Sequence, residues 1–516
     1  MSRSDYSIRN IATSLLSTIS NILLGFICQR YFVSQLGSVN LGINGLFTNI
    51  ISFLSIAELG IGPAIVFNMY KPIKENDTEK IKSLMDFYKK SYRVIAMLIF
   101  VIGIIISFFL PAIIGENNIE IIGNSINIYY IFLLFLIDTV ASYIMTYKRS
   151  ILYANQKNYN VTLIHTFSVI IMYILQIIIL ILFKDFYLYL IIKIICRILE
   201  NILINKKANK CYPYILEKNA KKIDNATSKD IKQRVKASIF HNIGGYIVLS
   251  TDNLIISRFI GLTEVGLYSN YLLIINALNS IISKIFSIIT ASVGNLLVEK
   301  NHKKNKNVFD NVNCINFWIY CIASCGLYTC VQPFVEIWLA DKYLFANSIV
   351  IVLTINFFFQ GMRQTMQVFA QAGGICYENR FVPILEAFLN IVFSILFVKL
   401  IGLAGVFVGT IISSFAVHFY SYPKYVYSQL FKRNRNEYII QFIKKVFIFV
   451  LILLINVVII RNINLHNIYF TLIVNGLISV TVSATILYIL YRKSDEYKYF
   501  INLISKIISK FKKTNI

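Results

Sequence analysis

Apolar residues along this chain gather in blocks of about 20, the helix length that crosses the roughly 30 Å hydrocarbon layer of a bilayer, and polar residues collect between them. The blocks fall near 9–32, 40–69, 92–115, 120–147, 160–183, 186–205, 236–260, 265–298, 309–333, 345–374, 381–399, 402–423, 439–461 and 467–491. About fourteen transmembrane helices are therefore expected, and the fold class is all-α integral membrane protein. The longest blocks exceed the hydrocarbon thickness, so they are expected to tilt or to project beyond it.

Charge between the blocks sets an orientation. Lys71, Lys74, Lys80, Lys82, Lys89 and Lys90 follow the second block, ten basic residues lie from Lys206 to Lys236, and Lys303, Lys304 and Lys306 follow the eighth. Such loops stay in the cytoplasm. The alternate loops, 34–40, 116–120, 261–264 and 461–467, are short and nearly uncharged apart from Glu116, Glu120, Glu264 and Arg461. Both termini are then expected inside. The first block is long and broken by polar residues, unlike a cleavable signal peptide.

Composition narrows the function classes. With 57% apolar residues the chain is too hydrophobic for a soluble core, and its mean hydropathy is +0.66. The +25 net charge sits between spans rather than on a basic, aromatic-studded soluble face, which argues against nucleic acid as a partner. Eight cysteines show no metal or disulfide spacing, and Cys321 and Cys325 share a helix face as small packing residues. No phosphate-binding glycine loop, metal-ligand spacing or nucleophile-base pair is present, so no catalytic residue and no cofactor is expected. A membrane glycosyltransferase or polymerase would need acids on a substantial outer loop, and the longest such loop offers Glu336 and Asp341.

The blocks divide as 1–205, an N-lobe of six spans; 206–235, a basic cytoplasmic linker; 236–425, a C-lobe of six spans; and 426–516, spans thirteen and fourteen with a basic tail. An internal repeat supports the division. Gln29-Arg30-Tyr31-Phe32 is followed by Gly42 and Asn44, and Ser257-Arg258-Phe259-Ile260 by Gly266 and Tyr268. Six is even, so both lobes enter from one side as parallel repeats, a design that places substrate between lobes near the midplane in transporters.

Polar residues inside spans are the candidate chemistry, since a charge facing lipid costs about 3 kcal/mol on insertion scales. In the tenth span Asn356, Gln360, Arg363, Gln364, Gln367 and Gln371 recur at helical spacing. They either line a wet cavity or bond neighbouring helices, and the cavity is the favoured reading. Amides suit sugar hydroxyls and a guanidinium grips phosphate. Weaker stripes run through Asn10, Ser14, Ser17 and Asn21, and through His241, Gly245 and Asp252. Arg30 and Arg258 end their spans and either snorkel to outer phosphates or face a cleft. Lys284 lies deep, and Lys193, Arg197 and Glu200 share one face, with Arg197 and Glu200 placed to neutralise each other. Glu58, Asp138, Asp252 and Glu386 are the acids able to carry a coupling H+ or Na+. His165, His241 and His418 read as hydrogen-bonded packing residues rather than proton relays.

Local motifs then resemble a family. Ala57-Glu58-Leu59-Gly60-Ile61-Gly62 leads to Tyr70-Lys71-Pro72 after the second span, and Tyr153-Ala154-Asn155-Gln156-Lys157 follows the fourth. Asp252-Asn253, Gly261, Gly266-Leu267-Tyr268, then Pro333-Phe334-Val335-Glu336-Ile337-Trp338-Leu339, and Asn379-Arg380 leading to Asn390, Ser394 and Gly402-Leu403-Ala404-Gly405-Val406 come later. In order and placement these are similar to bacterial polysaccharide repeat-unit flippases of Wzx type, in the multidrug/oligosaccharidyl-lipid/polysaccharide exporter superfamily. One departure is Ala340, where such proteins often carry Gly.

The resemblance implies a MATE-like fold of two six-helix lobes around a cationic cleft, with two added helices. It implies a non-enzymatic flippase that moves undecaprenyl-pyrophosphate-linked oligosaccharide from the inner to the outer leaflet of the bacterial cytoplasmic membrane by alternating access. A polysaccharide polymerase and a chain-length regulator are implied as further partners beside membrane lipids. On that reading Arg30, Arg258, Lys284 and Arg363 hold the headgroup, and Gln360, Gln364, Gln367 and Gln371 the sugar. The alternative within the superfamily is a drug or peptidoglycan-precursor exporter, since fold alone does not fix cargo. The tail places Phe500, Ile504, Ile507, Ile508 and Phe511 opposite Lys498, Lys506, Lys510 and Lys513, a basic amphipathic helix for an anionic leaflet.

Overall fold

The computed structural model describes residues 3–58, 60–122, 126–217, 220–299, 301–375, 381–463, 465–502 and 505. Among the described residues there is helix and loop but no strand. Ten described helices are long and apolar enough to cross a membrane by length and composition. The remaining expected spans coincide with helices richer in polar side chains, over 186–211, 225–259 and 347–372, and with the chain from Gly37 through Glu75. The far tail (503–504 and 506–516), Cys376 and the Asn379-Arg380 motif lie outside the described residues, as does the side chain of His241.

The chain forms two compact units, residues 1–270 and 271–516. The first contains α1 (Arg3–Leu54), α2 (Ile61–Glu75), α3 (Thr78–Ser107), the short α4 (Leu110–Ile114) and α5 (Glu116–Ile122), α6 (Ile128–Thr146), α7 (Arg149–Ala154), α8 (Asn158–Leu182), α9 (Phe186–Cys211), α10 (Asn225–Phe259) and the first turns of α11 (Leu262–Val298). The division differs from the boundary read from the linker. The seventh span, expected to open the C-lobe, belongs to the first unit because α10 packs along α1 and α2.

Helix starts follow local chemistry. Asp77, Asn127, Asp185 and Asp224 each accept from backbone N–H groups two or three residues on, at the heads of α3, α6, α9 and α10. The first two spans are one merged helix, broken at Gly37, whose φ of 80° suits glycine. The repeated glycines meet each other: a Cβ on Gly42 would lie 2.0 Å from the Leu262 carbonyl oxygen, and one on Gly266 would lie 2.0 Å from that of Ser38. Small residues let these two backbones cross in contact.

The basic linker is docked rather than free. Lys80 pairs with Asp224, Lys82 with Glu217 (2.8 Å), Asn68 donates to Asp230 (3.0 Å), and the Arg234 guanidinium stands 3.9 Å over the Phe67 ring.

The second unit continues with α12 (His302–Trp338), α13 (Asn347–Ala372), α14 (Val382–Ile401), α15 (Leu403–Ser413), α16 (Phe419–Val426), α17 (Asn436–Arg461) and α18 (Ile468–Tyr491). A wide π-type turn at 414–418 joins α15 and α16 into one rod, and a second at 427–431 extends it. Gly405 and Gly409 bring that rod against the Phe397 carbonyl and Ser394 of α14. Aromatic rings fill the core, with Phe358 stacked on Phe449 at 3.9 Å. Cys321 and Cys325 are wholly buried there as free thiols. α12 runs on through Pro333 to Trp338, past its expected end, and Ala340 turns the chain at φ 120°.

Candidate functional site

Phe357, Phe358, Met362, Met366 and Phe369 form the buried face of α13, whereas Gln360, Arg363, Gln364 and Gln367 are half-buried and Gln371 is exposed. Arg363 and Glu386, read separately as headgroup cation and coupling acid, form one bidentate pair. Arg363 Nη1 donates to Glu386 Oε1 at 2.7 Å and Nη2 to Oε2 at 2.8 Å. Nη1 also reaches Gln360 Oε1 (3.0 Å) and Ser414 Oγ (3.2 Å), and Ser414 donates to Glu386 (2.9 Å). Charges this buried persist when geometry and extra hydrogen bonds offset their desolvation, and both conditions hold here. His418 stacks on Tyr422 at 4.2 Å, and among the described residues neither of its ring nitrogens has a hydrogen-bond partner. The expected hydrogen bond is thus missing for His418, while His165 Nδ1 lies 3.2 Å from Glu200.

In the first unit a second cluster faces a cavity of about 220 Å³. Asp138 on α6 lies 2.5 Å from Arg197 Nε and 3.3 Å from Lys193 Nζ, both on α9. Thr48 and Ser52 of α1, Ser55 in the turn that follows it, and Thr139 and Ser142 of α6 add hydroxyls to the wall. Arg197 is therefore not the partner of Glu200. Arg149 of α7 takes that place, its Nη2 donating to Glu200 Oε1 and Asn201 Oδ1 at 2.7 Å each. Neither Arg149 nor the hydroxyl row was singled out in the sequence. The spacing of 48, 52 and 55 along one helical face was the available signal.

The other candidates are dispersed. Arg30 and Arg258 are exposed, and Lys284 is half-buried. Gly115 leaves room for the Arg258 guanidinium, whose Nη1 would be 3.1 Å from a Cβ there. Asn118 ties the same corner, donating to the Ile114 and Ser257 carbonyls and accepting from Leu262 N. Glu58 accepts from the Tyr92 hydroxyl, and Asp252 is buried. No group of three or more metal-ligating side chains occurs among the described residues.

The fold is shared with membrane exporters. It is similar to lipid II flippase MurJ in an inward closed conformation, with a TM-score of 0.63 at 17% identity over 93% of this chain and 98% of that one. An inward-facing multidrug resistance MATE family transporter of the MOP superfamily gives 0.58 at 16% identity, covering 79% and 94%. A mutant of the Vibrio cholerae MATE transporter VcmN gives 0.56 at 15%, covering 83% and 99%. No curated protein sequence matches the chain. Residues 7–293 match the family described as polysaccharide biosynthesis protein, more than half of the chain, and the protein accordingly belongs to that family.

Proposed function

We propose that the protein is a transporter, not an enzyme, that moves undecaprenyl-pyrophosphate-linked oligosaccharide repeat units from the inner to the outer leaflet of the cytoplasmic membrane by alternating access. The observation that carries this reading is membership of a polysaccharide biosynthesis family on an exporter fold. Amides and cations fit such a cargo, because a pyrophosphate needs cations and an oligosaccharide needs donors and acceptors. Arg30, Arg258 and Lys284 are the proposed headgroup residues, and Gln360, Gln364, Gln367 and Gln371 the sugar-facing ones. Arg363, held by Glu386, takes a positioning role that sets the face of α13. Glu58, Asp138, Asp252 and Glu386 are the proposed acids for a coupling H+ or Na+, with Asp138 and Glu386 each held by an arginine.

A second reading, a lipid-linked peptidoglycan precursor as cargo, is favoured by the MurJ likeness over 93% of the chain. A strain lacking the gene separates the two. On the first reading, lipid-linked oligosaccharide accumulates and surface polysaccharide disappears, and restoring the gene reverses both. Unchanged polysaccharide with accumulated peptidoglycan precursor would move the cargo to the second reading.

A further inference from the structure

The Asp138 cavity contains more than an ion pair requires. Two cations, Lys193 and Arg197, converge on one carboxylate, which leaves the cluster with one net positive charge. Around it, Thr48, Ser52, Ser55 and Thr139 donate their hydroxyl hydrogens to carbonyls one turn back, at 2.7, 2.8, 2.9 and 3.0 Å. Their oxygens therefore turn lone pairs, not protons, to the cavity. A helix clamp needs only the ion pair, whereas here a polar cavity of about 220 Å³ adjoins it. Lone pairs call for a ligand rich in O–H donors, and the surplus cation calls for one negative charge on it. A sugar carrying a carboxylate or a phosphate has both.

We propose that this cavity is a binding subsite for an acidic sugar residue, in which the sugar's anionic group displaces Asp138 from Lys193 and Arg197 while its hydroxyls donate to the threonine and serine oxygens. Asp138 acts as a built-in stand-in that neutralises one of the two cations before cargo binds. The added anion neutralises the cluster's surplus positive charge, which offsets part of the desolvation cost of binding. The inference rests on the transport reading for its class of ligand, an oligosaccharide, and on the cavity for everything else.

The test uses purified full-length protein in lipid nanodiscs, with thermal unfolding followed during titration by glucuronate, glucose 1-phosphate, glucose and inorganic phosphate at matched ionic strength. Charged sugars are expected to raise the unfolding midpoint, and glucose and phosphate are not. The carboxylate and phosphate arms identify which anion the site takes. Lys193→Gln and Arg197→Gln each leave Asp138 one cation, so each variant retains a buried partner, and each is expected to weaken binding at least tenfold. Asp138→Asn removes the internal competitor and is expected to tighten binding about tenfold, an effect that a purely structural role would not give. Equal shifts by glucose and glucuronate, no shift by any ligand, or undiminished binding in both cation variants would overturn the proposal. Because binding is read without transport, failure here leaves the gene-deletion result standing, and the reverse also holds.

Discussion

Ala340 occupies a backbone conformation that suits glycine. At φ 120° its Cβ crowds the neighbouring peptide, at a cost of the order of 1 kcal/mol. Ala340→Gly is expected to raise stability by about 1 kcal/mol, read as a higher unfolding midpoint in detergent, with no change in export. Arg363 behaves oppositely. With 12% of its side chain exposed and Glu386 3%, removing the guanidinium strands a buried carboxylate. Arg363→Ala is expected to cost about 3 kcal/mol and to lower protein yield, whereas Arg363→Ala with Glu386→Gln costs less than the single change. An additive double variant would show the pair to be uncoupled. The stripe on α13 was legible because helical spacing is local. Its partner was not, since Glu386 lies 23 residues away across a turn, and the same holds for Arg197, whose nearest acid in sequence is not its nearest in space.

Among the helices, the glycine repeat announced itself in the sequence, but the crossing of Gly42 over Gly266 did not, because periodicity says where an element is and not what it leans on. The charge-rich linker read as a spacer between lobes. It is instead strapped to α2 and α3 by pairs that composition alone could not match up. Exposed pairs of this kind contribute little singly and weaken with salt. The hydrogen bond from Lys80, with those from Thr227, holds the Asp224 carboxyl below the usual carboxylate range. A depressed carboxylate stabilises the docked state above its unfolded value, near pH 4, and that contribution is lost as pH falls further. Limited proteolysis within 217–224 is therefore expected to be slow at neutral pH and low salt, and faster below about pH 4, in high salt, or in Lys80→Met. A cleavage rate indifferent to all three would mean the strap carries no stability.

For the molecule as a whole, the basic loops predict which side of the membrane each loop occupies. The linker carries most of its charge as lysine, and lysine-rich short loops resist translocation. The turn at 341–343, which joins α12 to α13, carries Asp341 and Lys342 and is expected outside. The two positions can be compared directly in a cysteine-free background, with Lys221→Cys and Lys342→Cys probed by a membrane-impermeant maleimide. Intact cells should label position 342, and position 221 should react after permeabilisation. Labelling at 221 in intact cells would invert the topology, place Lys80, Lys82 and the docked linker outside, and overturn the proposed inner-to-outer direction of transport.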